Sequence, residues 1–130
     1  MAAKLATKWP KSFLTKISQS DDLKIAPFRA DGKTYGTPTW IWSVAVGDGL
    51  YVRSYSGVQG RWYQSALSQK AGRIYVGGEP YEVVFEHITD QAVNDAIDDA
   101  FQVKYAKTGH VHYIVNPRTN VATIKISPRE

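Results

Sequence analysis

Apolar residues recur at the three- and four-residue spacing of a helix in three stretches of the chain. In the first, Phe13, Leu14 and Ile17 fall on one helical face. In the longest, aspartates stand at the start and lysines at the end, the arrangement that the helix dipole favours. The third is short and is followed by Gly72, which we expect to end it. The pattern therefore predicts helices over residues 9–20, 61–70 and 90–104.

Other stretches alternate between apolar and polar residues, as strands with one buried face do. The clearest covers residues 37–46, which we predict to be one continuous strand. The Gly47-Asp48-Gly49 turn then returns the chain as a hairpin partner over residues 50–55. Weaker patterns predict strands over residues 23–28, 73–76, 81–87 and 121–127. Residues 108–120 carry no clear period, although residues 110–115 are compatible with a strand.

The order of these elements restricts the fold class. Successive strands follow one another without long crossover helices, which disfavours a parallel doubly wound sheet. We predict a β-rich α+β fold, with a largely antiparallel barrel or curled sheet and helices at its edges. The length, 130 residues, suits a single domain over residues 1–130 that buries about two-thirds of its surface. It would consist of the helix over residues 9–20 and a barrel over residues 21–130.

Composition excludes several kinds of site. The chain has no cysteine, which rules out disulfides, zinc-thiolate sites, iron–sulfur clusters and a cysteine nucleophile. The net charge of +4 gives a weak preference for anionic partners. Neither a signal-peptide pattern nor an 18-residue apolar run is present, so we expect a cytoplasmic protein without a membrane partner.

The segment YVRSYSGVQGRWY, residues 51–63, has the outline of an anion site. A strand carries Arg53 and Ser54 to a glycine-bounded loop with Ser56, and Arg61 stands in the first turn of the next helix. Helix N-termini, hydroxyls and guanidinium groups all donate to phosphate oxygens. The alternative is a purely structural turn, in which Ser56 and Gln59 form a capping box and both arginines are solvated. The residues alone leave both interpretations open.

Two further clusters have simpler interpretations. His110 and His112 would share a face of a strand and begin a metal site with His87 or a carboxylate, but no spacing marks a third ligand, so we predict no metal. The aspartates of the helix predicted over residues 90–104 fall largely opposite its apolar stripe, so we interpret them as a solvated face. These are Asp90, Asp95, Asp98 and Asp99. Hydrolase and phosphate-loop motifs are absent from the sequence.

Nearly the whole chain resembles an uncharacterised bacterial family placed with the flavin-binding split barrels. The resemblance rests on IAPFRADGKTYGTPTWIWSVAVGDGLYVRSYSG, on GRWYQSALSQKAGRIYV and on the final ATIKISPRE. It implies an antiparallel split barrel that forms a homodimer and binds FMN or a deazaflavin at the subunit interface. It further implies that Arg53, Ser54, Tyr55, Ser56 and Arg61 hold the phosphate. Thr39 and Trp40 would border the ring, and Trp62 and Tyr63 would be cofactor neighbours.

The leading hypothesis is therefore a flavin- or deazaflavin-dependent oxidoreductase that transfers a hydride between its cofactor and a small organic substrate. The cofactor carries that chemistry, so no catalytic side chain is assigned. An alternative is a non-catalytic module, in which Tyr51, Arg53 and Tyr55 form a stacking platform for single-stranded nucleic acid. The modest, dispersed charge disfavours nucleic acid. A third hypothesis is recognition of another small ligand or a protein at a dimer groove. Many of the aromatic residues between positions 40 and 63 would equally suit a packed core.

Overall fold

The computed structural model describes residues 8–129 and contains seven strands and four α-helices. The helices are α1 (Lys11–Gln19), α2 (Arg61–Gln69), α3 (Gln91–Lys104) and α4 (Pro117–Asn120). The strands are β1 (Leu23–Pro27), β2 (Thr39–Trp40), β3 (Ser43–Val46), β4 (Gly49–Arg53), β5 (Ala71–Val76), β6 (Glu79–His87) and β7 (Thr123–Pro128). All strand pairs are antiparallel, in the order β2-β1-β5-β6-β7-β4-β3. The predicted β-rich α+β fold is confirmed.

The sheet curls because one stretch of chain supplies both of its ends. Strand β2 pairs with β1, with Trp40 opposite Lys24, whereas β3 pairs with β4, with Val44 opposite Tyr51. Only residues 41 and 42 separate β2 from β3, so the two ends of the sheet order must approach each other. The predicted continuous strand over residues 37–46 is wrong, because the backbone changes its pairing partner at residues 41–42. This break produces the predicted split barrel, an antiparallel half-barrel with flanking helices.

Apolar side chains cover both faces of the strand that leads to the predicted anion site. Leu50 and Val52 of β4 belong to a large cluster that includes Ile124 of β7 and the buried face of α1. Tyr51 faces the opposite way, into a second cluster with Phe101 of α3. All five residues of β4 are therefore buried. Strand β4 leaves neither face available to solvent.

The helices follow the predicted positions, with one corrected terminus. Asp90 caps α3 by accepting a hydrogen bond from the backbone N–H of Val93. Helix α2 ends at Lys70, which adopts a left-handed conformation with φ of 61°, so the prediction that Gly72 ends it is wrong. Gly72 lies in β5, where a Cβ would come within 2.6 Å of the backbone of β1. Within residues 8–129, no helix combines the length and apolarity needed to cross a bilayer.

Short helical turns occupy the segment between α3 and β7. Residues 106–108 and 111–113 form 3-10 turns, and α4 follows. The strand considered over residues 110–115 is wrong, because local bonds replace a strand ladder there: the N–H of Tyr113 donates to the His110 carbonyl, and that of Ile114 donates to the Val111 carbonyl. Gly109, with φ of 75°, makes the turn between the two 3-10 turns. This segment folds back over the end of β4.

Candidate functional site

A cavity of about 550 Å³ opens where β2, the end of β4, the start of α2 and the segment around His110 meet. Its volume lies within the range of small-molecule sites. Every residue that the resemblance assigned to a cofactor lines this cavity, except Tyr63, whose ring packs in the core. We call it the aromatic cavity, because three tryptophans and two tyrosines are among the residues that line it: Trp40, Trp42, Trp62, Tyr55 and Tyr113.

The loop after β4 places its polar groups under the start of α2. The N–H of Ser54 donates to the Ala122 carbonyl, and the N–H of Gly57 donates back to the Ser54 carbonyl. Gly57 has φ of 69° and packs against Arg118, where a Cβ would come within 2.6 Å of that side chain. The chain therefore turns sharply after β4. Gly60 then starts α2 directly above Ser54.

Arg53 is the largest fully buried side chain and is saturated with hydrogen bonds. Its Nε donates to Thr123 Oγ1 at 2.9 Å, and Nη2 donates to the carbonyl and Oδ1 of Asn94. Nη1 donates to Asp98 Oδ1 and to the Ile114 carbonyl. A guanidinium has five N–H donors, and these five contacts account for all of them. Arg53 forms part of the cavity wall, yet it has no free donor for a ligand.

Asp98 is the counterion of this buried guanidinium. Its side chain is 25% exposed, that of Arg53 not at all. The interpretation of the α3 aspartates as a solvated face is therefore wrong for Asp98, because it faces the end of β4. Burial lowers the pKa of Arg53, while the hydrogen bond and the charge of Asp98 act in the opposite direction. We call Arg53, Asp98, Asn94 and Thr123 the Arg53 cluster.

Ser54 differs from Arg53 in its hydrogen bonding. Its side chain is buried, and its Oγ finds no hydrogen-bond partner among residues 8–129. A Cβ on Gly60 would overlap this oxygen, so Ser54 Oγ lies against the residue that begins the α2 N-terminus. Buried hydroxyls almost always have a partner, and one without a partner requires an explanation. A bound acceptor at the α2 N-terminus would provide it.

The capping box considered for this loop is wrong. Neither Ser56 nor Gly60 provides a side-chain cap within the described residues, and Gln59 belongs to a 3-10 turn before the helix. The N–H groups of the first turn of α2 are therefore uncapped by side chains, next to an unpartnered hydroxyl. Arg61, in that first turn, is exposed and also lines the cavity. We call Ser54, Ser56, Gly60 and Arg61 the serine end of the cavity.

Trp40 and Trp42 belong to the cavity wall that the β2 region supplies. Trp40 donates from its indole N–H to the Asp21 carbonyl at 2.6 Å, yet 46% of its surface is exposed. Trp42 stacks on Tyr105 with ring centroids 4.3 Å apart and an interplanar angle of 7°. Thr39 stands beside Trp40 in β2, where its hydroxyl donates to the Thr37 carbonyl. Each indole is thus fixed on one side and borders the cavity on the other.

Tyr55 and Trp62 complete the predicted aromatic residues. Tyr55 is 58% exposed and meets Tyr113 edge to face, with ring centroids 6.0 Å apart. Trp62 is half-buried beside Tyr63, whose ring belongs to the core. The aromatic stretch is therefore divided: Tyr51 and Tyr63 pack the core, whereas the others line the cavity.

His110, Tyr113 and Ile114 line the same cavity, and the sequence did not indicate them. They lie in the 3-10 segment, whose lack of a period left it unassigned. The stacked pair His110 and Tyr113, with centroids 5.8 Å apart, becomes apparent only once this segment folds over β4. His87 lies elsewhere and contacts the Val121 carbonyl. No group of three or more potential metal-ligand side chains occurs in the part of the chain that the structure describes.

Comparison with known proteins assigns the chain to a family. A family model described as "Uncharacterized protein conserved in bacteria (DUF2255)" matches residues 13–126. No curated protein and no solved structure matches the chain. The match spans α1 to β7 and so includes the whole wall of the aromatic cavity.

Proposed function

The chain belongs to the bacterial family DUF2255, and we propose that it holds a flavin or deazaflavin cofactor in the aromatic cavity for oxidoreductase chemistry. The observation that carries this proposal is the unpartnered, buried Oγ of Ser54 at the uncapped N-terminus of α2. A phosphate oxygen is an acceptor that satisfies both the hydroxyl and the helix N–H groups. The cavity beyond it has flat aromatic walls of the kind that a planar ring stacks on.

The residues present fit the phosphate of such a cofactor at the serine end. Ser54 and Ser56 supply hydroxyl donors, and Arg61 supplies an exposed guanidinium in the first turn of α2. A Cβ at residue 60 would overlap Ser54 Oγ, so glycine is the residue that lets this hydroxyl lie against the start of α2. Arg53, by contrast, has its donors engaged. We therefore assign Arg53 to positioning the end of β4, and the phosphate contacts to the serine end.

Trp40, Trp62, Tyr55 and Thr39 would hold the ring, since all four line the cavity. When bound, the cofactor supplies hydride-transfer chemistry, so this chain needs only to bind it, orient it and exclude water. The fixed indoles suit that role, because Trp40 is held by its hydrogen bond to Asp21, and Trp42 by its stack on Tyr105. A small organic substrate would approach the exposed side of the ring.

Dimerisation is part of this proposal. Three exposed large side chains line the cavity, namely Trp40, Tyr55 and Tyr113, and Val58 is exposed in the loop that precedes α2. Exposed apolar patches on a protein surface often mark the places where another molecule binds. A second copy of the chain that covered them would close the cavity and shield the ring from water.

The nucleic-acid alternative lacks the surface that it requires. Tyr51 and Arg53 are 8% and 1% exposed, so of the proposed stacking platform only Tyr55 reaches solvent. A single exposed tyrosine does not make a stacking surface for successive bases. The observations favour a ligand inside the cavity over a strand laid across it.

The test is a fluorescence titration of the purified protein with FMN, with a deazaflavin and with riboflavin, which lacks the phosphate. We expect FMN to bind at least about tenfold more tightly than riboflavin, because charge-assisted hydrogen bonds contribute about 1.5–3 kcal/mol each. Arg61→Gln should remove most of that difference. Lys11→Gln is the matched control, since it removes one exposed positive charge on α1 and should leave the difference unchanged. A folded protein that binds none of the three compounds would refute the proposal.

A further inference from the structure

A second depression lies beside the aromatic cavity, along the outer side of α2. Its volume is about 320 Å³, and it is lined by Arg61, Gln64, Ser65, Ser68, Gln69 and the chain around Phe28. We call it the α2 groove. Arg61 belongs to the wall of both the groove and the aromatic cavity. The two spaces therefore adjoin the same side chain, that of Arg61, at the first turn of α2.

Helical spacing explains why these side chains share one face. Residues three, four and seven positions after Arg61 point to the same side of a helix, and these are Gln64, Ser65 and Ser68. The opposite side of α2 is buried through Tyr63 and Ala66. Arg61 thus stands at the head of a polar stripe that leads away from the cavity.

The chemistry of the groove is distinct from that of the cavity. Among the described residues that line it, Arg61 is the only charged one, and the helix contributes hydroxyls and amides. The side-chain amide of Gln64 is oriented by donating to the Val58 carbonyl at 3.0 Å, which leaves its oxygen free to accept. Phe28, half-buried, supplies an apolar wall. Such a surface suits an uncharged group that carries several hydrogen-bonding atoms and a flat apolar part.

We propose that the ligand of this site is a dinucleotide rather than a phosphate monoester, with its phosphates at Arg61 and a nucleoside in the α2 groove. The inference rests on the proposed function, because it takes the ring to occupy the aromatic cavity. A monoester such as FMN would end at Arg61 and leave the groove unused. A dinucleotide such as FAD continues past Arg61 and places hydroxyls and a heterocyclic base along the polar stripe.

The experiment compares FAD with FMN, which share the same ring and differ only beyond the first phosphate. In fluorescence titrations we expect FAD to bind at least about tenfold more tightly than FMN. ADP, which carries the nucleoside and phosphates without the ring, should compete with FAD and leave riboflavin binding unchanged. Ser65→Trp, which fills the groove, should lower FAD affinity about tenfold or more and leave FMN affinity within about twofold.

Control variants separate loss of the groove from loss of the fold. Ser68→Trp fills the groove from an exposed position one turn further along α2 and should reproduce the effect of Ser65→Trp. Gln102→Trp places the same indole at an exposed position on α3 and should change neither affinity. Circular dichroism of each variant verifies that it is folded.

The two proposals fail in different ways. If FMN binds as tightly as FAD, or if both groove variants leave FAD affinity unchanged, the dinucleotide inference is overturned while the proposed function stands. If neither FMN, FAD nor riboflavin binds to the folded protein, the proposed function fails and the inference fails with it. A preference for FAD that both groove variants abolish supports the inference.

Discussion

Arg53 and Ser54 are neighbours in the chain, yet the polar groups of their side chains differ in how many hydrogen-bond partners they have. Arg53 is buried with acceptors for all of its donors, including the carboxylate of Asp98. Ser54 is equally buried, and its hydroxyl has no partner among residues 8–129. Arg53 belongs to a cluster that satisfies its donors, whereas Ser54 belongs to the wall of the aromatic cavity.

This difference distinguishes a structural group from a binding group. A buried charge is tolerated only when it is paired and hydrogen-bonded, and the Arg53 cluster meets that condition within the chain. An unpartnered buried hydroxyl costs about 1–3 kcal/mol, which a ligand with a suitable acceptor would recover. Saturation, rather than residue type, therefore identifies which of the two residues is available to a phosphate.

The largest expected effect comes from breaking the Arg53 cluster. Asp98→Ala leaves the Arg53 guanidinium buried without its counterion and should lower the free energy of unfolding by about 3 kcal/mol, measured by urea denaturation. Asp99→Ala is the matched control on the same helix, because Asp99 is exposed; it should change stability by less than about 0.5 kcal/mol. Equal effects of the two substitutions would show that the cluster is not the structural anchor of β4.

Substitution of Ser54 should have a smaller effect, which raises the stability of the ligand-free protein and lowers its affinity for FMN. Ser54→Ala removes an unpartnered hydroxyl, so it should raise the free energy of unfolding of the ligand-free protein by about 1 kcal/mol. The same variant should weaken FMN binding about tenfold and leave riboflavin binding unchanged. Thermal unfolding and fluorescence titration measure the two parts. A loss of stability in the ligand-free protein would mean that the hydroxyl already has a partner.

A pH-dependent effect is expected at a buried cation that, unlike Arg53, has no hydrogen-bonded carboxylate among residues 8–129. Lys104 donates to the carbonyls of Ile17 and Ser43, each at 2.6 Å. Burial lowers its pKa from 10.5 to about 8, although the charge of Asp21 acts in the opposite direction. Between these values the unfolded chain retains the proton that the folded chain has released. The contribution of Lys104 to stability should therefore rise with pH from about 8 to 10.5.

Urea denaturation across that pH range checks this expectation. The unfolding free energy of the wild-type protein minus that of the Lys104→Met variant should increase as the pH rises above 8. Lys107→Met is the matched control, since it removes one exposed positive charge near the end of the same helix. A flat difference for Lys104→Met would show that this amine titrates normally.

Local patterns were sufficient for much of the fold. The apolar spacing located α1, α2 and α3 to within about two residues at most ends, and the alternation located the hairpin between β3 and β4. The break between Thr39–Trp40 and Ser43–Val46 left no trace in that alternation, because both halves keep a strand-like pattern while pairing with opposite ends of the sheet. The segment around His110 was not predicted, since its 3-10 turns depend on local bonds rather than on an apolar period.

The sequence alone determined that the residues after β4 and those at the start of α2 come together at the cavity. Strand β4 must deliver residues 53–56 to its end, and a helix must begin shortly after Gly60, whatever the rest of the chain does. Only the tertiary structure decided what each residue does there. It brought Asp98 and Asn94 of α3 and Thr123 of β7 onto Arg53, across separations of 45, 41 and 70 positions, and brought no partner from the described residues to Ser54. Hydrogen-bond saturation depends on such distant contacts, and a linear pattern of residue types does not contain them.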